Sequence, residues 1–279
     1  MYIKKPQEIA LIVEGGALLG AILEQLTHMV GPGVSCFEID QSAERLIVAA
    51  GGRPAFKGYK TRPSDPPFPS TICASINHEL VHGIATKEKI LHEGDIFSID
   101  IGMEWPVSVP TAIGASAGAS RGYFTDTAIT VAVGGIPKEV QKLIEVTQEA
   151  LEVGIRETRP GNTIADIGRA IEAYVRSQGA YGIIEELVGH GVGHSVHEEP
   201  RVPNYYDAEF ESWVIRPGVV IAIEPMISLG SRFIETASDG WTISPQDKSL
   251  SAHFEHTIAI TEGGPVVVTR RPGEKHAMT

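Results

Sequence analysis

His190, His194 and His197 alternate with Gly189, Gly191 and Gly193 in a run that closes on Glu198, Glu199 and Pro200. Imidazole is the commonest protein ligand for borderline metals and changes charge near neutral pH. Glycine at every second position disfavours helix and ordinary strand, because it loses more backbone freedom on ordering than any other residue. What it offers is close backbone approach, so that imidazoles can crowd around something small. One histidine here would read as a solvated turn; three framed by glycine point to a site. The carboxylates that could complete it are Asp100, Asp126, Glu224 and Glu255. Three of them (Asp100, Glu224 and Glu255) lie inside or beside strongly apolar runs. An ionised carboxylate in such a place is costly unless it is paired or coordinates a metal.

The elements that would carry these residues occur twice. Apolar residues recur at helical spacing over residues 6–29, despite Gly15, Gly16 and Gly20, and Pro32-Gly33 ends that helix. Ser35, with Glu38 three residues on, predicts a capped second helix to Ala50, stopped by Gly51-Gly52. Residues 53–70 hold five prolines and read as a loop; strands are predicted over 71–76, 95–103 and 123–133. Helical spacing returns over 137–156 and breaks at Pro160-Gly161. Thr163 with Asp166 then caps a helix to Arg176, and Gly179 stops it. Strands are predicted over 219–227 and 254–261. Ser35, Glu38, Ile39, Glu44 and Gly51 match Thr163, Asp166, Ile167, Glu172 and Gly179 at a constant offset of 128. Farther on, Asp100 aligns with Glu224, and Asp126 with Glu255. Such a repeat implies one compact body with two similar halves, about 1–136 and 137–279, and not two independent domains. If the halves pack about a pseudo-twofold axis, the four carboxylates meet at its centre. With His190 they make five ligands for two divalent ions, two of the carboxylates bridging. Mixed oxygen and nitrogen ligation suits Mn, Fe, Co or Zn and does not choose among them.

The bulk numbers bound the function. A chain of 279 residues, 42% hydrophobic and 21% charged, can bury a substantial core. Its formal net charge of -12 argues against direct partners that need a basic surface, nucleic acid and anionic membrane among them. Cys36 and Cys73 are too few for a disulfide framework. No leader and no apolar run of membrane-crossing length is read, so a soluble cytoplasmic protein is expected. His78-Glu79-Leu80-Val81-His82 matches the single-zinc protease pattern, which requires both histidines on one helix face. It follows a β-type run and meets Gly83 at once, so the match reads as coincidental. His82 keeps an interest of its own, because His82-Gly83-Ile84 echoes His190-Gly191-Val192.

Over nearly its whole length, from Ile3 to about Arg270, the chain resembles the methionine aminopeptidases of type I. The segments that carry the resemblance run from Ser75 through His82 to Ile84, from Gly189 to Pro200, from Ile223 to Met226, from Asp239 to Trp241, and from Ser249 to Thr257. The resemblance implies an α+β "pita-bread" fold: an antiparallel sheet covered by helices, in two pseudo-twofold-related halves forming a single catalytic domain. It implies Asp100, Asp126, His190, Glu224 and Glu255 as ligands of two divalent ions, with Asp126 and Glu255 bridging. A metal-bridging hydroxide would then attack the first peptide bond, and one metal would anchor the free α-amine. His197 would hydrogen-bond the scissile carbonyl, His82 would sit by the leaving nitrogen, and Glu224 would relay the proton. Tyr59, Phe68, Cys73, Val196 and Trp241 fall near the family's methionine pocket, Cys73 as packing rather than as a nucleophile. The substrate implied is the N-terminal methionine of nascent polypeptides, with ribosome contact left open; with no sustained heptad or apolar tail in the sequence, a monomer is expected. Asp100 and Asp126 are 26 positions apart where the family has a short hairpin, so residues 104–122 read as an insertion. Val196 stands where a larger aromatic often sits, which would widen the pocket. A proline-directed peptidase of the same fold, and a binding protein that has lost catalysis, are the competing readings.

Overall fold

The computed structural model describes residues 3–107 and 122–274. Its first half runs α1 (Pro6–Thr27), α2 (Cys36–Ala49), β1 (Arg53–Pro54), β2 (Ile72–Ile76), β3 (Ile96–Trp105) and β4 (Tyr123–Ala132). The second half opens with α3 (Lys138–Glu157), α4 (Ile164–Gln178), β5 (Gly182–Ile183), β6 (Gly189–Gly191) and β7 (Glu198–Val202). A 3-10 turn at Ala208–Ser212 leads to β8 (Val220–Ile223) and β9 (Met226–Ser228). It ends with β10 (Ile234–Thr236), β11 (Ile243–Pro245), β12 (Ser251–His253), β13 (Glu255–Thr261) and β14 (Gly264–Val267).

The repeat is visible in hydrogen bonds. The Ser35 hydroxyl accepts from the Glu38 amide at 3.3 Å while the Glu38 carboxylate accepts from the Ser35 amide at 2.9 Å. Thr163 and Asp166 reproduce the pair at 3.3 and 2.8 Å. These reciprocal bonds satisfy amides that a helix start otherwise leaves open, which is why each helix begins where it does. Both cap residues also form isolated β-bridges, Ser35 to Ile90 and Thr163 to Val214.

Strands from the two halves share one nine-stranded sheet in the order β1-β3-β4-β13-β8-β6-β7, with β2 beside β3 and β14 beside β13. All its pairings are antiparallel. Side chains alternate faces along a strand, so one face of β3 carries Phe97, Ile99, Ile101 and Met103. These join Leu19, Leu23, Ile39 and Ile47 of α1 and α2 in one buried cluster. Ile221, Ile223, Ile258 and Ile260 of β8 and β13 do the same with Leu143, Leu151, Ile167 and Ile171 of α3 and α4. The helices cover that face; the other is left for polar groups.

The halves join at β4 and β13 through threonines as well as backbone. The Thr257 hydroxyl donates to the Asp126 carbonyl at 2.8 Å and accepts from its amide at 3.0 Å. The Thr127 hydroxyl donates to the Glu255 carbonyl at 2.8 Å.

Three expectations are corrected. The run 219–227 is two strands, because Pro225 has no amide to continue the ladder; β9 leaves the main sheet to pair with β12 and β5. The β3–β4 ladder extends to Trp105 opposite Tyr123, so residues 104 and 105 belong to strand and not to an insertion, while 108–121 lie outside the described residues. Finally, α1, 22 residues long, holds an 18-residue stretch of mean hydropathy 1.7, the length and apolarity of a membrane-crossing segment. Its apolar side is covered by the core, with Ile12, Leu19, Ile22, Leu23 and Leu26 buried.

The glycines of α1 have a packing reason. A Cβ on Gly20 would meet the carbonyl oxygens of Thr269 and Arg270 at 2.7 and 2.8 Å, and backbone cannot rotate away. Gly20→Ala would gain about 1 kcal/mol of helix propensity but incur overpacking of about 1–3 kcal/mol. We expect net destabilisation, seen as a lower denaturant midpoint; a midpoint at or above wild type contradicts the packing.

Candidate metal centre

The uncovered face of the sheet gathers the carboxylates by register. Asp100 lies directly opposite Ala128, and Ala128 directly opposite Glu255, so the two acids flank a buried methyl group in one row across three strands. Asp126 lies two residues before Ala128 and therefore on the same face. Glu224 follows the last residue of β8 on the parity opposite to Ile221 and Ile223, which also aims it inward. Asp100, Asp126 and Glu255 are 9%, 4% and 2% exposed.

β6 brings His190 to them. A Cβ on Gly189 would meet the Ala222 carbonyl oxygen at 2.4 Å, and one on Gly191 the Glu199 oxygen at 2.3 Å. The alternating glycines thus let a short strand fit between β7 and β8, and the expectation that they exclude a strand is corrected. Nδ1 of His190 lies 2.9 Å from the Gly191 carbonyl oxygen, which can only accept. The ring proton therefore sits on Nδ1, leaving the Nε2 lone pair facing inward. Nε2 is 3.5 Å from Oε1 of Glu224 and 3.9 Å from Oδ2 of Asp126. Single donor atoms of Asp126, His190 and Glu255 all lie within 4.8 Å of one another, close enough to share an ion.

This arrangement is costly as it stands. No lysine or arginine pairs with any of the four acids among the described residues. Oδ1 of Asp100, Oδ1 of Asp126 and Oε1 of Glu255 are buried without a hydrogen-bond partner. Burial raises Asp100 to about 6 and Glu224 to about 8. Burial and the neighbouring acids push Asp126 and Glu255 well above the carboxylate range. Burial lowers His190 to about 3, leaving its ring neutral. Orphaned oxygen donors around a bare imidazole nitrogen fit divalent metal.

These residues form the floor of a cavity of about 1120 Å³, which His82, His197, Tyr59, Phe68, Cys73 and Trp241 also line. Phe68, Cys73 and Val196 are buried in one cluster with Tyr59 and Trp241 against it. The Phe68 and Trp241 rings meet edge-on at 5.2 Å. Val196 does not line this cavity; it lines an adjacent groove with Tyr59 and Phe124. Cys73 lies opposite Asp100 in the β2–β3 register, and burial and that acid push its thiol well up. His197 packs edge-on to His190 at 4.5 Å, and its Nδ1 is 3.0 Å from the Tyr59 hydroxyl. His82 adopts a positive φ of 57° at the end of the Val81 bridge to Ile243. Burial, with His197 and His253 nearby, lowers it to about 4.

Other groups divide as follows. The His78–His82 pentapeptide is not helical: Glu79 accepts from the Ile76 amide at 2.8 Å and pairs with Lys89, so the single-zinc pattern has no structural counterpart. His194 meets Glu8 of α1 at 3.0 Å. Glu198 is held by Lys4 at 2.6 Å and accepts from the Ser195 amide at 2.8 Å, anchoring the loop that carries His197. His28 and His92 are exposed, and His276 lies outside the described residues. His256, on the other face of β13 from Glu255, bonds Thr269 and Glu274. The sequence reading gave His253 no role, yet the structure buries it beside Glu224. Its i, i+2 spacing to Glu255 is the signal that could have found it.

A curled antiparallel sheet with helices on one face and convergent acids on the other is the frame of a metal-dependent hydrolase. A family model, metallopeptidase family M24, matches residues 10–262. The chain belongs to metallopeptidase family M24, and divalent metal binding comes with that membership. It is 41% identical over 267 residues to methionine aminopeptidase 1 of Bacillus subtilis, spanning 96% of this chain and 98% of the relative. A methionine aminopeptidase structure from Thermotoga maritima superposes with a TM-score of 0.85 at 34% identity, over 96% of this chain and 99% of that one. The resemblance to methionine aminopeptidases and the pita-bread fold are both borne out. The prolidase of Pyrococcus horikoshii superposes at 0.72 with 23% identity, and the match covers 65% of its length; the likeness is one of fold alone.

The raised carboxylates set a pH dependence. Groups with raised folded-state pKa stabilise most below their unfolded value near 4, and that contribution is lost as pH rises through the folded values. The buried histidines act in the opposite sense, but their contribution is complete above about pH 7, where unfolded histidine is neutral. From about pH 7 to 8.5 the carboxylates therefore decide. We expect the melting temperature of metal-free protein to fall across that interval, and the increment from added Mn to grow. Thermal melts with and without metal check this; a flat metal-free profile contradicts it.

Proposed function

We propose that the chain removes the N-terminal methionine of nascent polypeptides and peptides by metal-dependent hydrolysis. The observation that carries this reading is one cavity with two unlike parts: a floor of four buried carboxylates with His190, and an apolar wall of Phe68, Cys73 and Trp241. Asp100, Asp126, His190, Glu224 and Glu255 would hold two divalent ions, with Co, Mn, Fe and Zn all compatible. Such ions supply Lewis acidity and bring the pKa of a water toward neutrality.

The chain's own residues do the rest. The apolar wall receives an unbranched thioether, and sulfur packs favourably at aromatic edges. His197, neutral and oriented by Tyr59, donates to the scissile carbonyl oxygen as negative charge develops there. His82 stands by the leaving nitrogen. Glu224, within reach of both the metal site and the cavity, carries the proton to it. Cys73, kept as a thiol beside Asp100, packs and does not attack. We assign the protein to the cytoplasm as a monomer forming a single catalytic unit, in which neither nucleic acid nor membrane is a direct partner.

The test compares Met-Ala-Ser with an Ala-Pro peptide in the presence of Co or Mn, on wild type, His82→Ala and His197→Ala. We expect cleavage of the methionine peptide alone. Losing the oxyanion donor in His197→Ala should lower kcat about 10²–10³-fold with little change in KM. Turnover of the proline substrate alone would support a proline-directed peptidase, and binding without cleavage a silent relative.

A further inference from the structure

His253 is fully enclosed, and neither ring nitrogen has a hydrogen-bond partner within the protein. It nevertheless lines the cavity, with Nε2 3.5 Å from Oε2 of Glu224. The other oxygen of the same carboxylate, Oε1, faces Nε2 of His190 at the same distance. Glu224 thus lies between two imidazoles that cannot play the same part. The proton of His190 is on Nδ1, toward the Gly191 carbonyl, so its Nε2 meets Oε1 lone pair to lone pair. A cation between them, or a proton on Glu224 when metal is absent, makes that contact favourable.

The situation at Oε2 is different. An imidazole carries at least one ring N–H, on Nδ1 or on Nε2. On Nδ1 that proton has no acceptor; on Nε2 it has a carboxylate oxygen 3.5 Å away, just beyond hydrogen-bond contact. A buried polar group takes the tautomer that satisfies it, and a bond to an ionised acceptor is the stronger kind. The backbone fixes the position: the Thr130 hydroxyl accepts from the His253 amide and donates to its carbonyl, both at 2.9 Å. The backbone is thus fixed beside Thr130, and enclosure of the ring keeps it next to Glu224.

We propose that His253 is a positioning residue for Glu224: when Oε1 takes up metal beside His190, the His253 Nε2–H closes the 3.5 Å gap to Oε2 and donates to it, setting the carboxylate for metal and for proton relay. The inference rests on the proposed role of Glu224 and adds a residue that acts through it. Outer hydrogen-bond partners of this kind orient ligands, and their loss typically costs 10–100-fold in metal affinity.

The experiment titrates Co(II) into metal-free wild type, His253→Gln, which keeps a donor, and His253→Leu, which does not. Calorimetry reads affinity, absorption reads the geometry of the bound cobalt, and circular dichroism confirms folding. His253→Met, also without a donor, replaces the leucine variant should that one not fold. We expect about 10–100-fold weaker binding without the donor, and glutamine within about three-fold of wild type with an unchanged spectrum. In peptide turnover the donor-less variant should lose kcat more than KM. Wild-type affinity in His253→Leu overturns the proposal. So does an equal loss in His253→Gln with a shifted spectrum, which would make the imidazole itself a ligand. Failure of the wild type to cleave a methionine peptide would count against the functional reading alone, because the affinity comparison still decides the role of His253.

Discussion

Four carboxylates enclosed on one face of a sheet, with no lysine or arginine paired to them among the described residues, is the constraint from which the rest of this structure follows. Burial disfavours the charge on each, and at Asp100 the neighbouring Glu224 adds repulsion, so both are raised. Three orphaned oxygens and the bare nitrogen of His190 leave the cost unrelieved by protein. Divalent cations relieve it, as they do wherever buried charge persists in proteins. The fold is thus arranged around a centre that its own side chains do not neutralise.

Strand alternation makes such a centre possible. The face that carries Ile99, Ile101, Ile221 and Ile258 packs against helices, and the opposite face of the same strands carries Asp100, Glu224 and Glu255. A one-residue slip in β13 would exchange Glu255 with His256 and put an acid under α3. Threonine hydroxyls at Thr127 and Thr257 bond the backbone carbonyls of Glu255 and Asp126 across the seam, which resists that slip. The site's floor is therefore fixed by the join between the halves, whereas His197 and Tyr59 are placed by loops, the former anchored through Glu198 and Lys4.

Much of this was legible in the sequence. The capping boxes at Ser35 and Thr163 and the period-2 strands showed the duplication, and the duplication placed the acids. What stayed hidden depends on non-local packing. The glycines around His190 mark clearance between neighbouring strands, which local propensity reads as strand-breaking. Pro225 sends β9 to a second sheet, where it pairs with β12, so His253 reaches Glu224 from a strand that starts before the one expected at 254–261. Val196 falls in the right cluster but lines a different groove, since contact with a pocket residue does not imply contact with the pocket. The apolarity of α1 reflects enclosure between the sheet and the 268–270 backbone, a cause that composition cannot separate from lipid.

The account is tested most directly by anomalous diffraction from crystals grown with Mn. Two peaks are expected, with Asp126 and Glu255 touching both and Asp100, His190 and Glu224 completing the shells. One peak, or density that avoids Glu224 and His190, would contradict it.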